Sequence, residues 1–359
     1  MIIHKLHKYG VSDVDLAADY DVYVVTLMNS YAGGVRVGVA GATGYAGVEL
    51  LRLLARHPHA RIAAAMGGPG AAPRRVPALA RVWDATVDGL DVDALAACSD
   101  AVFLALPDEA AAGIAPSLVA RGRRVFDLSG AFRLRDAGER RKWYPHTPEP
   151  PDSVVYGLTE RYRSALAGSS LVACAGCYAT AAILGLQPLV DAGLVASPII
   201  IDAKSGVSGA GKTPTERTHF SECHGSVSAY GVFSHRHAAE IEQELGVPVT
   251  FVPHLIPIDR GIFETIYATL RDGATEHDIQ AAYAAAYDGS PFVRLTGADL
   301  PEIKHVAHTN FCDIGWRVNE RGRQLVLVVC LDNLVKGAAG QAVQNFNVAF
   351  GFDERLGLN

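Results

Sequence analysis

The chain lacks an excess of positive charge, a long apolar run and any low-complexity segment. Its 32 lysine and arginine residues face 38 aspartate and glutamate residues, so the formal net charge is −6 at pH 7. This balance gives no general attraction to nucleic acid or to an anionic membrane. No apolar run reaches the roughly 18 to 20 residues that span a bilayer. We therefore expect a cytoplasmic protein with no nucleic-acid or membrane partner, in which an anionic substrate needs a local basic pocket.

A disulfide framework and a targeting segment are also missing. The 6 cysteines are scattered along 359 residues, unlike the dense spacing of a disulfide-stabilised scaffold. The N-terminus has no apolar core of a signal peptide. Residues 1–34 nevertheless differ from the rest of the chain, because they carry aspartates among apolar residues and end in a glycine-containing linker. We interpret 1–34 as an N-terminal extension, with Met28 as a candidate natural start.

Beyond residue 34 the pattern predicts two structural units. In the first, short apolar strands alternate with helices, which is typical of a parallel, doubly wound α/β sheet of the Rossmann type. The second predicts a mixed α+β domain. Predicted strands cover 35–40, 61–66, 101–106, 124–128, 171–175, 199–203, 249–252, 262–270 and 324–331, and predicted helices cover 48–55, 110–121, 179–192, 237–245, 276–286 and 337–350. We expect a cofactor-binding domain, 35–176 with 332–359, and a catalytic and dimerisation domain, 177–331.

A glycine-rich turn lies between the first predicted strand and the first predicted helix. Its three glycines permit a tight turn, close backbone approach to a pyrophosphate and close helix packing. The helix N-terminus would then face the phosphate charge. The G-x-x-G-x-x-G spacing differs from the commonest G-x-G-x-x-G, so a purely structural turn is the alternative. The residues that we expect to contact a dinucleotide are Gly41, Thr43, Gly44, Tyr45, Ala46 and Gly47.

The residues after the second predicted strand favour NADP over NAD. NAD enzymes usually place a carboxylate about 20 residues beyond the turn, where it holds the ribose hydroxyl. Here no carboxylate appears between Met66 and Asp84, whereas Arg74 and Arg75 could neutralise a 2′-phosphate. Surface arginines without a ligand are the alternative.

Cys177 lies where a predicted strand gives way to a helix. A thiolate at a helix N-terminus gains from the free amides and the dipole, which we expect to lower its pKa and make it a nucleophile. With Cys174 it also forms a C-x-x-C motif, found in thioredoxin-like proteins and in half zinc sites, but no second C-x-x-C is present. Both cysteines could instead be buried core residues.

A partner base is available in the segment His235-Arg236-His237, which precedes a predicted helix. The scattered Cys223, His219 and His224 make no recognisable set of metal ligands, so we expect no metal site. With a nucleophilic cysteine present, we interpret His235 as an acid and base.

Residues 206–213 match the P-loop pattern G-x-x-x-x-G-K-[ST] and come directly after a predicted strand. A P-loop NTPase is therefore an alternative from a different class of protein. Pro214 and the polar residues after it do not resemble a helix that opens at Lys212. We favour a loop that lines an active site.

Together these motifs resemble the N-acetyl-γ-glutamyl-phosphate reductases of arginine biosynthesis, whose fold is of the semialdehyde dehydrogenase type. The resemblance is carried by 176–180 and the His-Arg-His motif, with support from 127–134, 156–158, 205–211, 257–261 and 332–337, and it extends over 35–352. The chain departs from the family at Ala175, where proline is usual, and at Pro107-Asp108-Glu109, where Pro-His-Gly is usual. We expect the first change to loosen the approach to the nucleophile and the second to add negative charge near the cofactor cleft.

The resemblance implies an NADP(H)-dependent reductase that converts an acyl phosphate to an aldehyde. Cys177 would attack the acyl carbon of N-acetyl-glutamyl 5-phosphate, and hydride transfer to the resulting thioester would give N-acetyl-glutamate 5-semialdehyde. His235 would take the thiol proton and later serve the thiohemiacetal. The cofactor would contact Ser205, Gly206 and Asn333, the last through its nicotinamide amide. The substrate would contact Arg133, Lys212, Glu222 and Arg260, although the basic residues could instead form structural ion pairs.

Two other functions fit the same residues. A sister reductase of lysine biosynthesis would act on an aminoadipyl phosphate, which is longer by one methylene. A binding module without catalysis is also possible, since one dinucleotide fold can serve sensing. For the reductase we expect a small-molecule acyl phosphate substrate and a homo-oligomer, either a dimer or a tetramer.

Overall fold

The computed structural model describes residues 33–359 except Asp152, Glu320 and Gly322. The interpretation of the N-terminal segment, including Met28 as a start, falls on residues outside the described part. Within that part the chain forms two sheets. No helix among residues 33–359, gaps apart, is long and apolar enough to cross a membrane.

The first sheet has six strands in the order β2-β1-β3-β4-β6-β5, and every neighbouring pair is parallel. Helices usually connect parallel strands, and buried apolar residues such as Leu50, Leu51 and Leu54 of the helix Tyr45–Arg56 cover the sheet. The strands are β1 Val35–Ala40, β2 Ala60–Met66, β3 Ala101–Leu104, β4 Arg124–Asp127, β5 Val154–Gly157 and β6 Leu171–Cys174. The helices are α1 Tyr45–Arg56, α2 Val92–Cys98, α3 Asp108–Ala120, α4 Ala137–Trp143 and α5 Thr159–Leu166. The predicted Rossmann-type sheet is confirmed.

The second sheet has seven strands in the order β11-β12-β13-β10-β7-β9-β8 and is mixed. Its strands are β7 Val195–Gly206, β8 Ser228–Ala229, β9 Thr250–Ile256, β10 Ile262–Leu270, β11 Val293–Gly297, β12 Cys312–Asn319 and β13 Gln324–Leu331. Its helices are α6 Cys177–Asp191, the short α7 Phe220–Cys223, α8 Arg236–Leu245 and α9 Glu276–Tyr287. Inward side chains such as Ile266 and Leu327 share one apolar core with α6. The predicted α+β unit is confirmed.

Helix α6 contains Pro188 in its last turns. Proline has no N–H, so the carbonyl of Leu184 loses the partner that an ordinary helix supplies. The Tyr287 hydroxyl of α9 donates to this carbonyl instead, and the Tyr283 hydroxyl donates to the carbonyl of Gly185 at 2.6 Å. Two buried tyrosines therefore complete the hydrogen bonding of α6 and hold α9 against it.

The C-terminal segment crosses from the second sheet to the first. After β13, residues Val335–Ala339 form one π-helical turn that continues into α10, Gly340–Ala349. Phe346 of α10 contacts Phe103 and Phe126 in the first sheet, with ring centroids 5.7 and 5.8 Å away. All ten residues of α10 are buried. The last helix therefore belongs to the core of the first sheet.

Candidate active site

The glycine-rich turn has the geometry that a dinucleotide requires. Gly41 has a φ of +82°, and a Cβ there would lie 2.1 Å from the carbonyl oxygen of Ala105. A Cβ on Gly47 would lie 2.2 Å from the carbonyl oxygen of Gly41, so glycine allows α1 to pack against the turn. At Gly44, the N-cap of α1, the nearest described atom to an added Cβ is 3.5 Å away. The turn therefore has no space for a side chain at Gly41 and Gly47, where it packs against the protein, but it has space at Gly44, where a pyrophosphate would approach.

The loop after β7 faces this turn. Lys212 Nζ donates to the carbonyl oxygen of Thr43 at 3.1 Å, which brings the loop to the edge of the first sheet. A cavity of about 300 Å³ lies between the two, bordered by Tyr45, Ser208 and Arg260 among others. Residues Val207–Ala210 form a single 3₁₀ turn, and in the described chain the next helical segment starts only at Glu216. The P-loop interpretation is therefore wrong, because no helix opens at Lys212.

Ser205, Gly206, Asn333 and Arg260 lie together beside that loop. A Cβ on Gly206 would lie 2.7 Å from the amide nitrogen of Arg260, so only glycine lets the two segments meet. Asn333 accepts from the Gly261 amide at 2.8 Å and donates to the Ser208 hydroxyl at 3.0 Å. Arg260 pairs with Glu49 at 2.9 Å and Asp332 at 3.5 Å, and Ser205 donates to the carbonyl of Gly206. These contacts favour a structural ion pair for Arg260, while the cofactor contacts stay a prediction.

Arg74 and Arg75 are exposed in the segment after β2. A backbone bridge also brings Asp88 to the same strand end, where the Gly67 amide donates to the Asp88 carbonyl at 2.8 Å. Sequence spacing missed this carboxylate because the loop between Gly67 and Asp88 returns to the strand. The two arginines therefore favour NADP, whereas the nearby exposed carboxylate of Asp88 is the kind of group that holds the ribose hydroxyl of NAD.

Cys177 is the first residue of α6 and is partly exposed. Burial raises the pKa of its thiol to about 11, although a hydrogen bond to the Tyr178 amide and the charge of Arg133 act in the opposite direction. The expected lowering of this pKa is therefore wrong for the free protein. The free energy lost when the thiolate is removed from water exceeds the stabilisation that the helix N-terminus gives it.

The position of Cys177 is set by two close approaches. A Cβ on Gly337, in the π-helical turn, would lie 2.6 Å from the Cβ of Cys177 and 3.0 Å from its Cα. On the other side, the Gly176 amide donates to Glu240 Oε1 at 2.8 Å. The candidate nucleophile is thus held between the C-terminal segment and helix α8.

Glu240 and Arg133 form a buried network under Cys177. Glu240 also accepts from the Tyr156 hydroxyl at 2.6 Å and pairs with Arg133 at 3.4 Å. Arg133 donates to the carbonyls of Cys174 at 2.7 Å and Leu128 at 2.8 Å. All three guanidinium nitrogens bind protein atoms, which favours the structural ion pair over a substrate contact. Glu240 was missed by sequence reasoning, although its spacing of three residues from His237 places both on one helix face.

The two histidines occupy different positions. His235 caps α8, and its Nδ1 accepts from the His237 amide at 3.1 Å. Burial, then the charge of Arg236, lowers the pKa of His235 to about 4. His237 is buried, and its Nε2 would lie 2.4 Å from a Cβ on Gly176, next to the nucleophile. Burial and then the His235 ring hold its pKa well below the usual range, so both imidazoles are neutral at pH 7. The structure adds His237 as a second candidate base.

Alkylation of Cys177 should be slow at neutral pH. Because the thiolate is the reactive form and the thiol pKa is about 11, we expect the iodoacetamide rate to keep rising with pH past 9. The rate should be measured by mass spectrometry of the peptide that contains residue 177, from pH 6 to 10.5. Cys223, which is also partly exposed, provides an internal control. A plateau of the Cys177 rate below pH 8 would show that the helix N-terminus outweighs burial.

A cavity of about 830 Å³ opens beside the histidines. Its lining includes His235, Glu222, Arg217 and Arg236, so it combines a neutral imidazole with two guanidinium groups. Arg217 lies over the Tyr230 ring, 5.5 Å from its centroid. Sequence reasoning selected Glu222 here but neither arginine, since Arg217 has no motif and Arg236 stands between two more conspicuous histidines. The cavity can hold an anion larger than water.

Asp108, one of the departures from the family pattern, connects the two sheets. Its Oδ1 accepts from the Gly130 amide at 2.6 Å, and its Oδ2 forms an ion pair with Arg236. The extra negative charge is therefore paired, and it orients an arginine of the cavity. At the other departure, Ala175 is buried and its carbonyl accepts from Gln341 Nε2 at 3.4 Å.

Glu264 is a buried carboxyl on β10, opposite Ala203 and Val329. Neither of its oxygens has a hydrogen-bond partner within the described chain. Burial holds its pKa well above the usual range, against the charge of Lys204, so the folded protein keeps a proton that the unfolded chain releases. The charged form would also oppose ionisation of Cys177.

Replacement of Glu264 by glutamine should remove one pH-dependent loss of stability. Above about pH 4.3 the unfolded glutamate is ionised, and the free energy of unfolding then falls by about 1.4 kcal/mol per pH unit until the folded pKa is reached. We expect the stability of Glu264→Gln relative to the parent to increase from pH 5 to pH 8 in urea titrations. Glu276→Gln, at an exposed position of α9, is the control. Parallel curves for parent and Glu264→Gln would contradict a neutral Glu264.

Within residues 33–359, gaps apart, the other ligating side chains do not form a metal centre. Among the described residues, no group of three or more histidine, cysteine, aspartate or glutamate side chains could hold a metal ion. The C-x-x-C cysteines are both free, with Cys174 buried in β6. The site is built from a thiol, two imidazoles, a buried carboxylate and arginines.

Two family models match successive parts of the chain and together cover most of it. Residues 36–169 match the NAD binding domain of semialdehyde dehydrogenase, and residues 177–333 match its dimerisation domain. Among curated proteins, N-acetyl-gamma-glutamyl-phosphate reductases from Brevibacillus brevis and Syntrophobacter fumaroxidans are 44% and 45% identical, each over 90% of this chain and 98% of the relative. Among solved structures, aspartate semialdehyde dehydrogenase II from Vibrio cholerae shares the fold, with a TM-score of 0.66, 17% identity and coverage of 88% of this chain and 98% of the other.

Proposed function

The chain belongs to the N-acetyl-gamma-glutamyl-phosphate reductases, and from this premise we propose that it reduces N-acetyl-glutamyl 5-phosphate to N-acetyl-glutamate 5-semialdehyde through a thioester on Cys177. The observation that carries the proposal is the position of Cys177. It is the first residue of α6, held by Gly337 and Glu240, and the residue before it, Gly176, lies against the His237 ring. The family's nucleotide domain indicates a nicotinamide dinucleotide as the cofactor.

The first step is acyl transfer to the protein. Cys177 Sγ attacks the acyl carbon, its proton passes to a base, and inorganic phosphate leaves. His237 lies beside the residue before the nucleophile, so its neutral imidazole is a candidate acceptor of this proton. His235 faces the large cavity, but it can accept the proton only at Nδ1, after the hydrogen bond from the His237 amide breaks. The low histidine pKa values and the high thiol pKa make proton transfer strongly uphill in the free protein. Bound substrate must therefore assist it.

The second step is reduction of the thioester to a thiohemiacetal, which collapses to the aldehyde and free Cys177. NADPH, when bound, supplies the hydride. At Gly41 and Gly47 an added Cβ would clash with the backbone, so the turn needs glycine there. At Gly44 an added Cβ would not clash, and a cavity near Lys212 lies next to the turn. Both features are consistent with a bound dinucleotide. An imidazole that received the thiol proton can return it to the thiohemiacetal oxygen.

Arg217 and Arg236 are our candidates for binding the phosphate and the substrate carboxylate. Both border the cavity that contains His235, and arginine binds either anion in a bidentate manner. Lys212 serves the cofactor side, because its ammonium contacts Thr43 of the glycine-rich turn. Glu222 borders the same cavity as the arginines and would exclude additional anions.

The reaction run backwards tests the proposal. Purified protein receives N-acetyl-glutamate 5-semialdehyde, phosphate and NADP, and reduced nicotinamide is followed by its absorbance. Phosphate-dependent reduction supports the proposal. A signal only with the aminoadipate homologue would assign the protein to the longer substrate. The two substrates differ by one methylene, which changes the free energy of binding by about 1–3 kcal/mol. No reduction of NADP with either aldehyde would contradict the proposal that the protein is a reductase.

Replacement of Arg74 and Arg75 by serine should weaken the binding of NADPH and leave the binding of NADH unchanged. A charge-assisted hydrogen bond contributes about 1.5–3 kcal/mol, so we expect the KM for NADPH to rise about tenfold to 100-fold in the double serine variant. Arg81→Ser, an exposed arginine farther along the same loop, is the matched control. Equal effects on both cofactors would show that these arginines do not contact the 2′-phosphate and would direct attention to Asp88.

We further propose that the cofactor-binding domain comprises 35–176 with 332–359 and that 177–331 forms the catalytic and dimerisation domain. The two sheets and the burial of α10 against the first sheet support this division. The match to a dimerisation domain supports a homo-oligomer, which we propose to be a dimer or a tetramer. Sedimentation equilibrium distinguishes the two.

A further inference from the structure

A second cavity lies beside Pro188 of α6. Its volume is about 240 Å³, below the 300 Å³ that is usual for drug-sized ligands, so an occupant must be small. Helices α5, α6 and α9 enclose it, and Gln187 is ten residues after Cys177, or about 15 Å along the helix. The cavity is therefore separate from the site described above. Its apolar walls are formed by Leu158, Ile183, Leu184, Pro188, Ala286 and Tyr287.

Two residues that line this cavity each carry a buried acceptor without a partner among the described residues. Glu160 Oε2 and Gln187 Oε1 lack a hydrogen bond from any described residue, and both residues line the cavity. The Glu160 side chain is 1% exposed and Gln187 is 7% exposed. Buried polar atoms are nearly always hydrogen-bonded in folded proteins. Two such atoms on residues that line one cavity therefore indicate a missing donor.

The remaining groups of both residues are already used. Glu160 Oε1 accepts from Lys336 Nζ at 2.6 Å and from Gln344 Nε2 at 3.0 Å. Gln187 Nε2 donates to Asp191 Oδ1 at 2.6 Å, which fixes Gln187 Oε1 as the free atom. Although burial opposes ionisation of Glu160, the ammonium of Lys336 holds its pKa below the usual range. The free oxygen thus belongs to a carboxylate.

We propose that this cavity binds a primary ammonium or guanidinium group carried on a short aliphatic chain. The unsatisfied atoms are all acceptors, so the ligand must bring N–H donors, and a cationic donor binds a carboxylate oxygen more strongly than a neutral one. The apolar walls accommodate the aliphatic chain. Asp191, whose side chain is 62% exposed, pairs with Arg161 at 3.4 Å at the solvent side of the cavity.

Thermal unfolding with three probes tests the proposal on the whole protein. n-Butylammonium and methylguanidinium should raise the Tm in a saturable way, whereas tetramethylammonium, which has the same charge and no N–H donor, should not. Crystals soaked in n-butylammonium should show nitrogen within hydrogen-bond distance of Glu160 Oε2 and Gln187 Oε1. Ordered water in the cavity, with no saturable shift from either donor probe, would overturn the proposal.

Gln187→Leu provides the matched variant. It removes one acceptor at nearly constant volume, and we expect it to weaken n-butylammonium binding at least tenfold in calorimetry. Gln280→Leu makes the same change at an exposed position of α9 and should leave binding unchanged. Each variant is compared with itself in the presence and absence of probe, so a change in its own stability does not affect the result. Equal binding by the parent and Gln187→Leu would contradict the assignment of the acceptor.

Discussion

Cys177→Ser should reduce the phosphate-dependent reaction by about 10⁴-fold or more, with no change in dinucleotide affinity. Removal of a nucleophile from a site that acts as a unit typically has an effect of this size or larger. Serine keeps the shape of the side chain, but its hydroxyl is far less acidic than the thiol and the neighbouring imidazoles are weak bases. The glycine-rich turn that we assign to the cofactor belongs to the first sheet and does not include residue 177, so binding should survive.

Steady-state assays in both directions and fluorescence titration with NADPH measure the two quantities separately. Cys223→Ser is the control, because Cys223 lines the large cavity next to His235 and is also partly exposed. It should retain nearly the full rate. A Cys177→Ser protein that keeps turnover would contradict the thioester, and a variant that loses NADPH binding would point to a structural role for the thiol.

Gly337→Ala should lower turnover by about 100-fold even though residue 337 carries no reactive group. The new methyl would lie 2.6 Å from the Cβ of Cys177, a separation that real Cβ atoms do not adopt, so either α6 or the π-helical turn must shift. A displacement of about 1 Å in a catalytic group can cost that factor. We expect kcat to fall more than the affinity for NADPH.

Gly340→Ala separates this effect from general destabilisation. Its Cβ would lie 2.4 Å from Asn310 Oδ1 and 2.6 Å from Val335 Cγ1, so it causes a clash of similar severity in the same segment without contacting Cys177. Both variants should have a lower Tm. Only Gly337→Ala should show a reduced kcat per folded molecule, and equal kcat values for the two would contradict positioning of the thiol by Gly337.

Most apolar strands were predictable, including the four-residue β3, β4 and β6, whereas β5, β8, β11 and β12 were missed. The predicted strands 262–270 and 324–331 have the observed bounds, Ile262–Leu270 and Gln324–Leu331. Strand β5 has only four residues, and β12 contains Asp313, which pairs with Arg294 of the neighbouring strand at 2.6 Å. Such strands exist because a partner strand and an ion pair lie beside them in the fold. Neither is visible in a local window of sequence.

The residues of the candidate site also fall into a group that the sequence predicted and a group that it did not. Cys177, His235 and the glycine-rich turn were found because each is a compact motif with its own local geometry. Glu240, Gly337 and Arg217 were not, because each acts through a contact with a residue far away in the sequence. The pKa of Cys177 shows the limit most clearly. A helix N-terminus is readable from sequence, but the burial that outweighs it depends on the packing of both sheets.

The burial of α10 in the first sheet has a consequence for biosynthesis. The first sheet consists of strands between residues 35 and 174, yet part of its core is supplied by residues 339–358. Chains emerge from the ribosome N-terminus first, and domains usually fold in that order. Here the sheet that is synthesised first must wait, with apolar surface exposed, until almost the whole polypeptide has been made. Nascent chains of this protein should therefore depend on chaperones, and a stalled ribosome should release no folded cofactor-binding unit.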